Sequence, residues 1–313
     1  MDTLTHALIG VAVAGLSGHQ PSVADPVYIA TVLGAQAPDF DIIAQVGGNM
    51  AYLKQHRAFS HSLPGIGLWS AAIAGLVHLF MPQAPAGQLL FWAFAGGLSH
   101  TLIDYFNTHG TAILWPLRRE RKSFPLLNVF DPCLLTLLLS LYLYRLPIHQ
   151  LAVASITAIV LYIMFRYGLK VRATHWLKKR FALKGVQRIW VMPCLNRLFF
   201  WDFVVETANR HLNGRLGTFF PVLEIKADLP RQELTPLAGE ALKTSLGEFF
   251  TSFTPFIYCE EKPDEATRQV NLYDLRYYGE RRFLHSATII FNEDNLPCES
   301  YMHTLGRTVK VTG

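Results

Sequence analysis

His100 and Asp104 close the apolar run from Leu89 to Leu98. On a helix of about 3.6 residues per turn, a spacing of four puts both on one face, with Asn107 a turn further on. An imidazole nitrogen and a carboxylate oxygen so placed are natural donors for zinc, manganese or ferrous iron. One such pair also arises wherever a helix end is capped, so a metal reading depends on other segments bringing donors to the same place.

Several segments do. His6 opens an apolar stretch from Leu4 to Leu16, and Asp39 and Asp41 follow a second from Val27 to Ala37. The run His56-Arg57-Ala58-Phe59-Ser60-His61-Ser62 leads into a third, Leu63 to Phe80. Seven candidate ligands result: His6, Asp39, Asp41, His56, His61, His100 and Asp104. Plainer readings stand beside each: Pro38-Asp39 as a helix stop and turn, His56-Arg57 as contacts to anionic headgroups. Asp131, before Pro132, is equally a ligand, an outer acceptor or a routine helix start.

The elements that must position these groups are apolar. Two more segments run from Pro132 to Leu146 and from Leu151 to Phe165, making six with Leu89 to Ile103. Crossing a bilayer takes about 20 apolar residues, so the third and sixth come close unaided and the others read as short or half-inserted spans. Leu134 to Tyr144 and Leu151 to Phe165 are apolar on all faces, which suits lipid better than a one-sided core. The whole chain is 51% hydrophobic and only 16% charged over 313 residues, enough length for two domains. Residues 1–165 hold 7 of the 28 Lys and Arg, and residues 166–313 the other 21. The expected fold is therefore an α-helical membrane domain of about six short transmembrane or half-inserted helices, followed by a smaller β-rich (α+β) cytoplasmic domain. Its boundaries are 1–168 for the helical domain, 169–188 for a basic connector and 189–313 for the β-rich domain.

Basic loops tend to stay in the cytoplasm. Arg166, Lys170, Arg172, Lys178, Lys179 and Arg180 follow the sixth segment, and Lys54, Arg57, Arg118, Arg119, Arg121 and Lys122 fall on the same side by alternation. All seven candidate ligands then lie at the cytoplasmic end of successive segments, which scattered capping residues need not do; ionisable groups at such depth are normally functional. His19, His78 and His149 lie on the opposite side and read as ordinary interfacial residues.

Beyond about residue 186 the pattern changes to short β-prone runs, at 198–205, 218–225, 256–259, 270–277 and 287–291, with a helix over 236–250; an antiparallel sheet fits best. No comparable cluster of histidines and acids occurs there. An isoelectric point near 9.0 comes with basic residues beside the membrane, where lipid is the expected partner and nucleic acid is not. The four cysteines lack any C-x-x-C spacing, so neither a zinc cage nor a redox pair is suggested. An acid at position 2 argues against a cleavable signal.

Met1-Asp2-Thr3-Leu4-Thr5-His6, Pro38-Asp39-Phe40-Asp41, His56 to Ser62 and His100 to Asp104, in this order within residues 1–131, resemble the membrane-bound metal-dependent hydrolases, also described as LexA-binding, inner-membrane-associated hydrolases. The resemblance implies a multi-pass protein of the inner membrane, bacterial or archaeal, with the matching His and Asp positions as metal ligands. His6, Asp39, His61, His100 and Asp104 are then the foremost ligands. Asp41 and His56 serve as ligands or a general base, and Arg57 neutralises charge on a phosphate. More donors than one tetrahedral ion needs suggest two or more ions, a device suited to phosphoester hydrolysis. The donor types are also similar to those of zinc-dependent phospholipase C, which brings a lipid or phosphoester substrate by analogy alone. A non-catalytic metal-binding scaffold or sensor, or a metal-ion transporter, are the competing expectations.

Overall fold

In a computed structural model of the protein, the described residues are 1–40, 59–118, 120–195, 197–220, 222–263, 268–279, 282–304 and 306–311. They form two compact units, Met1–Lys170 and Val171–Gly313.

The first unit is helical. Its elements are α1 (Thr3–Gly15), α2 (Pro26–Gln36), α3 (Leu63–Phe80), α4 (Ala86–Tyr105), α5 (Pro132–Leu141) and the start of α6 (Ile148–Arg180). Local chemistry starts each where it does. Asp2, Asp25, Ser62 and Asp131 accept backbone N–H bonds at the first turns of α1, α2, α3 and α5, and a proline stands in the first turn of the last three. Ala30, Ile73, Ala74, Val77, Leu89 and Ala93 form one core where α2, α3 and α4 pack; Ile9, Ile103, Leu127, Leu134, Leu138 and Ile159 form another.

About six transmembrane or half-inserted helices were expected, and the structure cuts the candidate spans to the third and sixth segments, the two that come close to spanning length unaided. Among the described residues, two helices are long and apolar enough to span a membrane, α3 and α6. The 13 residues of α1 reach only about 20 Å of the roughly 30 Å hydrocarbon layer, and α2 and α5 are shorter still. α4 has the length, but its last turns carry the buried polar residues His100, Thr101 and Asp104. Only 33% of the apolar window of α3 and 22% of that of α6 is buried by the described protein, so most of each window is left uncovered by it. The basic stretch after residue 168 is helical up to Arg180, because α6 runs on through it.

The second unit is β-rich. Strands β1 (Val186–Pro193), β2 (Phe200–Thr207), β3 (Arg210–Gly217) and β4 (Leu223–Pro230) make an antiparallel sheet in chain order. Two helices follow, α7 (Pro236–Lys243) and α8 (Ser245–Phe253), where a single helix was expected. The break is Thr244, whose extended backbone ends one helix while its hydroxyl accepts from Gly247 N to start the next. Then β5 (Ile257–Pro263), β6 (Arg268–Asp274), β9 (His285–Phe291), β10 (Pro297–Thr304) and β11 (Arg307–Lys310) form a second antiparallel sheet in the order β11-β10-β9-β6-β5, with the short hairpin of β7 (Tyr278–Gly279) and β8 (Arg282–Phe283) between β6 and β9. Trp201, Phe203, Phe250, Phe256 and Phe291 fill its interior. The expected strand over 218–225 is displaced: Gly217 N bonds Val222 O across a tight connection, and β4 begins only at Leu223.

Candidate metal centre

The centre forms where α2, α3 and α4 meet at one end. α4 places His100 and Asp104 one turn apart, both fully buried. Ser62 caps α3, so His61, the residue before it, is held at the mouth of that helix, also fully buried. Asp39 sits in a 3-10 turn over residues 37–40 that continues from α2. One donor atom from each of Asp39, His61, His100 and Asp104 lies within 4.8 Å of all the others.

Both imidazoles are oriented from behind. His100 Nδ1 is 2.7 Å from the Ala35 carbonyl oxygen, which can only accept, so Nδ1 carries the proton and Nε2 presents a lone pair. Ser60 Oγ lies 3.0 Å from His61 Nδ1. The two Nε2 atoms stand 3.2 Å apart. Asp39 Oδ1 is 3.5 Å from His100 Nε2 and 3.7 Å from His61 Nε2, while Asp104 Oδ2 is 3.9 and 3.6 Å from the same two atoms. Donors about 2.0–2.1 Å from one tetrahedral ion would sit about 3.3–3.4 Å apart, close to these separations. The His100 lone pair and two carboxylates turned on one point repel unless a cation, or a proton on His61 Nε2, lies among them. Two carboxylates with two neutral imidazoles balance a divalent ion.

Asp104 is held by its other oxygen. Asn107 Nδ2 donates to Oδ1 at 2.9 Å, while Asn107 Oδ1 accepts from the backbone of His109 and Gly110. The Met1 ammonium also donates to Asp104 Oδ1. Oδ2 is thereby left facing the histidines. Asp39 is the half-buried edge of the group, its side chain 31% exposed. Burial alone would raise its carboxyl, but whenever His100 is protonated its hydrogen bond and charge, with His61 beside it, outweigh that and hold the carboxyl below the usual carboxylate range.

Of the candidates read from the sequence, Asp39, His61, His100 and Asp104 come together. His6 lies against them without joining the four: its Nε2 is 2.9 Å from the Met1 nitrogen and 3.3 Å from Asp104 Oδ1, and its ring stacks on His100 at 3.6 Å and 12°. Asp41, His56 and Arg57 lie outside the described residues. Asp131 caps α5 through Leu134 N and accepts the Tyr162 hydroxyl. His19 pairs with Asp25 and His78 Nδ1 meets the Ala84 carbonyl, both within their own helix-end turns. Asn107, singled out in the sequence a turn beyond Asp104, is its partner, whereas Ala35 behind His100 was missed. Ala35 acts through a backbone carbonyl, which leaves no residue signature; the Gly96-Gly97 pair facing α2 was the available sign of a close crossing.

Residues 1–173 match the YdjM inner membrane protein family, and residues 236–311 match the YfhP C-terminal alpha/beta plait domain. Over 321 aligned residues the chain is 27% identical to the uncharacterized protein YfhP of Bacillus subtilis (strain 168), covering 96% of this chain and 94% of that one. No solved structure shows a significant match. With more than half of its length matched, and with all four converging donors inside the matched region, the chain belongs to the YdjM inner membrane protein family.

Proposed function

We propose that the protein is a membrane-bound metal-dependent hydrolase acting on a phosphoester or phospholipid at the cytoplasmic membrane face. The observation that carries this reading is the convergence of Asp39, His61, His100 and Asp104 with the His100 lone pair turned inward. Those four residues would hold a divalent ion, with zinc best suited to the nitrogen and oxygen donors and manganese or ferrous iron also compatible. Such an ion supplies Lewis acidity and lowers the pKa of water in reach of it. Asn107 keeps Asp104 aimed, and Asp39 opens the centre to a substrate. Asp41 or His56 is proposed as the general base and Arg57 as the phosphate partner.

One feature favours a second reading, a metal-binding scaffold or sensor. Four protein donors on one tetrahedral ion leave no open position, as in structural sites. A transporter is less well supported, because the donors stand at helix ends and not between broken helices at mid-membrane.

The test is metal content by elemental analysis together with turnover on phospholipids and simple phosphodiesters. His100→Ala and Asp104→Ala each remove a direct donor and should lose both metal and turnover. Asn107→Ala should cost about 10 to 100-fold, as loss of an orienting partner does, and His78→Ala should change neither. Full metal occupancy in both His100→Ala and Asp104→Ala sinks the centre. Metal retained by the wild type with no turnover on any phosphoester tested selects the scaffold.

A further inference from the structure

The two ends of the β1–β4 sheet differ in chemistry. Pairing of Pro193 with Trp201, Phe200 with Gly217 and Leu216 with Leu223 brings the β1–β2 and β3–β4 connections to one end. That end exposes Leu195, Phe199, Phe219, Phe220 and Val222, with Phe220 77% exposed. Phe199 and Phe219 meet ring to ring at 5.7 Å, and Thr218 N bonds Phe199 O, so the two connections form one patch. Arg197 stands exposed beside them. The opposite end, around Asn209, is polar: Arg210 pairs with Asp228 there, and Arg231 donates to Gln187. Large aromatic side chains clustered in the open are not left facing water without a partner.

Continuity with α6 indicates the partner. Arg172 Nη2 donates to the carbonyls of Thr218 and Phe219, at 3.0 and 2.8 Å, and thereby ties the aromatic connection to α6. The uncharged run Ile148–Phe165 of that same helix ends seven residues before Arg172, about 10 Å along the axis. That distance corresponds to the headgroup layer, where aromatic rings and arginines gather on membrane proteins. An apolar surface of this kind sinks about 5–10 Å into the boundary between headgroups and acyl chains.

We propose that this end of the sheet, led by Phe219 and Phe220, docks into the headgroup layer of the bilayer beside α6. The proposal rests on α6 as a membrane span and on none of the hydrolytic chemistry. The full chain is placed in nanodiscs of phosphatidylethanolamine and phosphatidylglycerol with p-benzoylphenylalanine at one position, illuminated, and weighed by mass spectrometry for phospholipid adducts. Position 220 should give lipid adducts, position 161, an exposed residue of α6, should give them too, and position 209 should stay at background. Adducts at 161 without adducts at 220 overturn the docking and leave the span standing. No adducts at 161 remove the span, and the docking with it. Protein-to-protein adducts at 220 in place of lipid assign the patch to a second copy of the chain and overturn the proposal as well.

Discussion

Replacing Gly34 with alanine separates the role of the α2–α4 crossing from that of the donors themselves. A Cβ at Gly34 would overlap the Ala93 carbonyl oxygen and stand 2.8 Å from its carbon, against ordinary contact from 3.4 Å. The helices must then part by at least about 0.6 Å at that point, since both neighbours are backbone atoms with no rotamer to yield. His100 on α4 reaches Ala35 on α2 across 2.7 Å, and a further 0.6 Å takes that bond to about 3.3 Å, beyond the usual 2.7–3.2 Å of an N–H···O bond. Releasing Nδ1 frees the ring that aims Nε2, and loss of such an outer partner costs about 10 to 100-fold in metal affinity. Overpacking adds a destabilisation of about 1–3 kcal/mol. Gly34→Ala, purified in detergent beside wild type, should therefore melt lower and retain less metal at limiting ion, although no donor has changed. Gly67→Ala on α3 is the control, because nothing lies within 4 Å of its added methyl; it should keep both. Full metal content and unchanged melting in Gly34→Ala would refute the reasoning.

Other parts of the chain can be tested as directly. Burial, helped by Glu261, pushes the Cys259 thiol up to about 11, so at pH 8 its thiolate fraction is about one in a thousand and alkylation should quicken roughly tenfold per pH unit up to that value; Cys298, which is exposed, should react first, and equal rates would count against the burial of Cys259. In intact cells the same Cys298 should resist a membrane-impermeant maleimide until permeabilised, and ready labelling from outside would reverse the proposed orientation. Arg276 and Asp274 form a buried two-pronged pair, Nε to Oδ1 at 3.0 Å and Nη2 to Oδ2 at 2.8 Å, so Arg276→Ala should cost about 3–5 kcal/mol in denaturant unfolding followed by tryptophan fluorescence. Arg268→Ala, at an exposed pair with Glu261, should cost less than about 1 kcal/mol, and similar losses for the two would contradict the burial argument.

The helices were legible because their starts carry chemical signals. Ser62 and Pro64 mark the beginning of α3, and the expected segment Leu63 to Phe80 coincides with the helix. The convergence of Asp39, His61, His100 and Asp104 was legible for a related reason: each follows or precedes an apolar run, so helix ends alone bring them to one side. The number of crossings was not, because hydropathy registers an apolar segment without saying whether lipid or another helix covers it; Ala30, Ala35 and Ala93 are fully buried by protein. β3 escaped notice because Arg210-His211-Leu212-Asn213-Gly214-Arg215-Leu216-Gly217 has no β-branched residue and owes its extended form to neighbours on both sides. Phe219 and Phe220 misled in the opposite sense. Aromatic residues favour strands, yet these two are exposed on a connection.

The order of the donors along the chain also places them in time. Asp39, His61, His100 and Asp104 lie within the first third of the sequence, as do their supports Ala35 and Ser60, and Asn107 follows only three residues beyond Asp104. When synthesis has just passed this region, about 200 residues remain to be made, which takes roughly 10–40 s at about 5–20 residues per second. Every described group needed to capture an ion has therefore been made before the first strand of the second unit exists. Loading can accompany translation, and an ion bound then would hold α2, α3 and α4 together while the rest of the protein is still being synthesised.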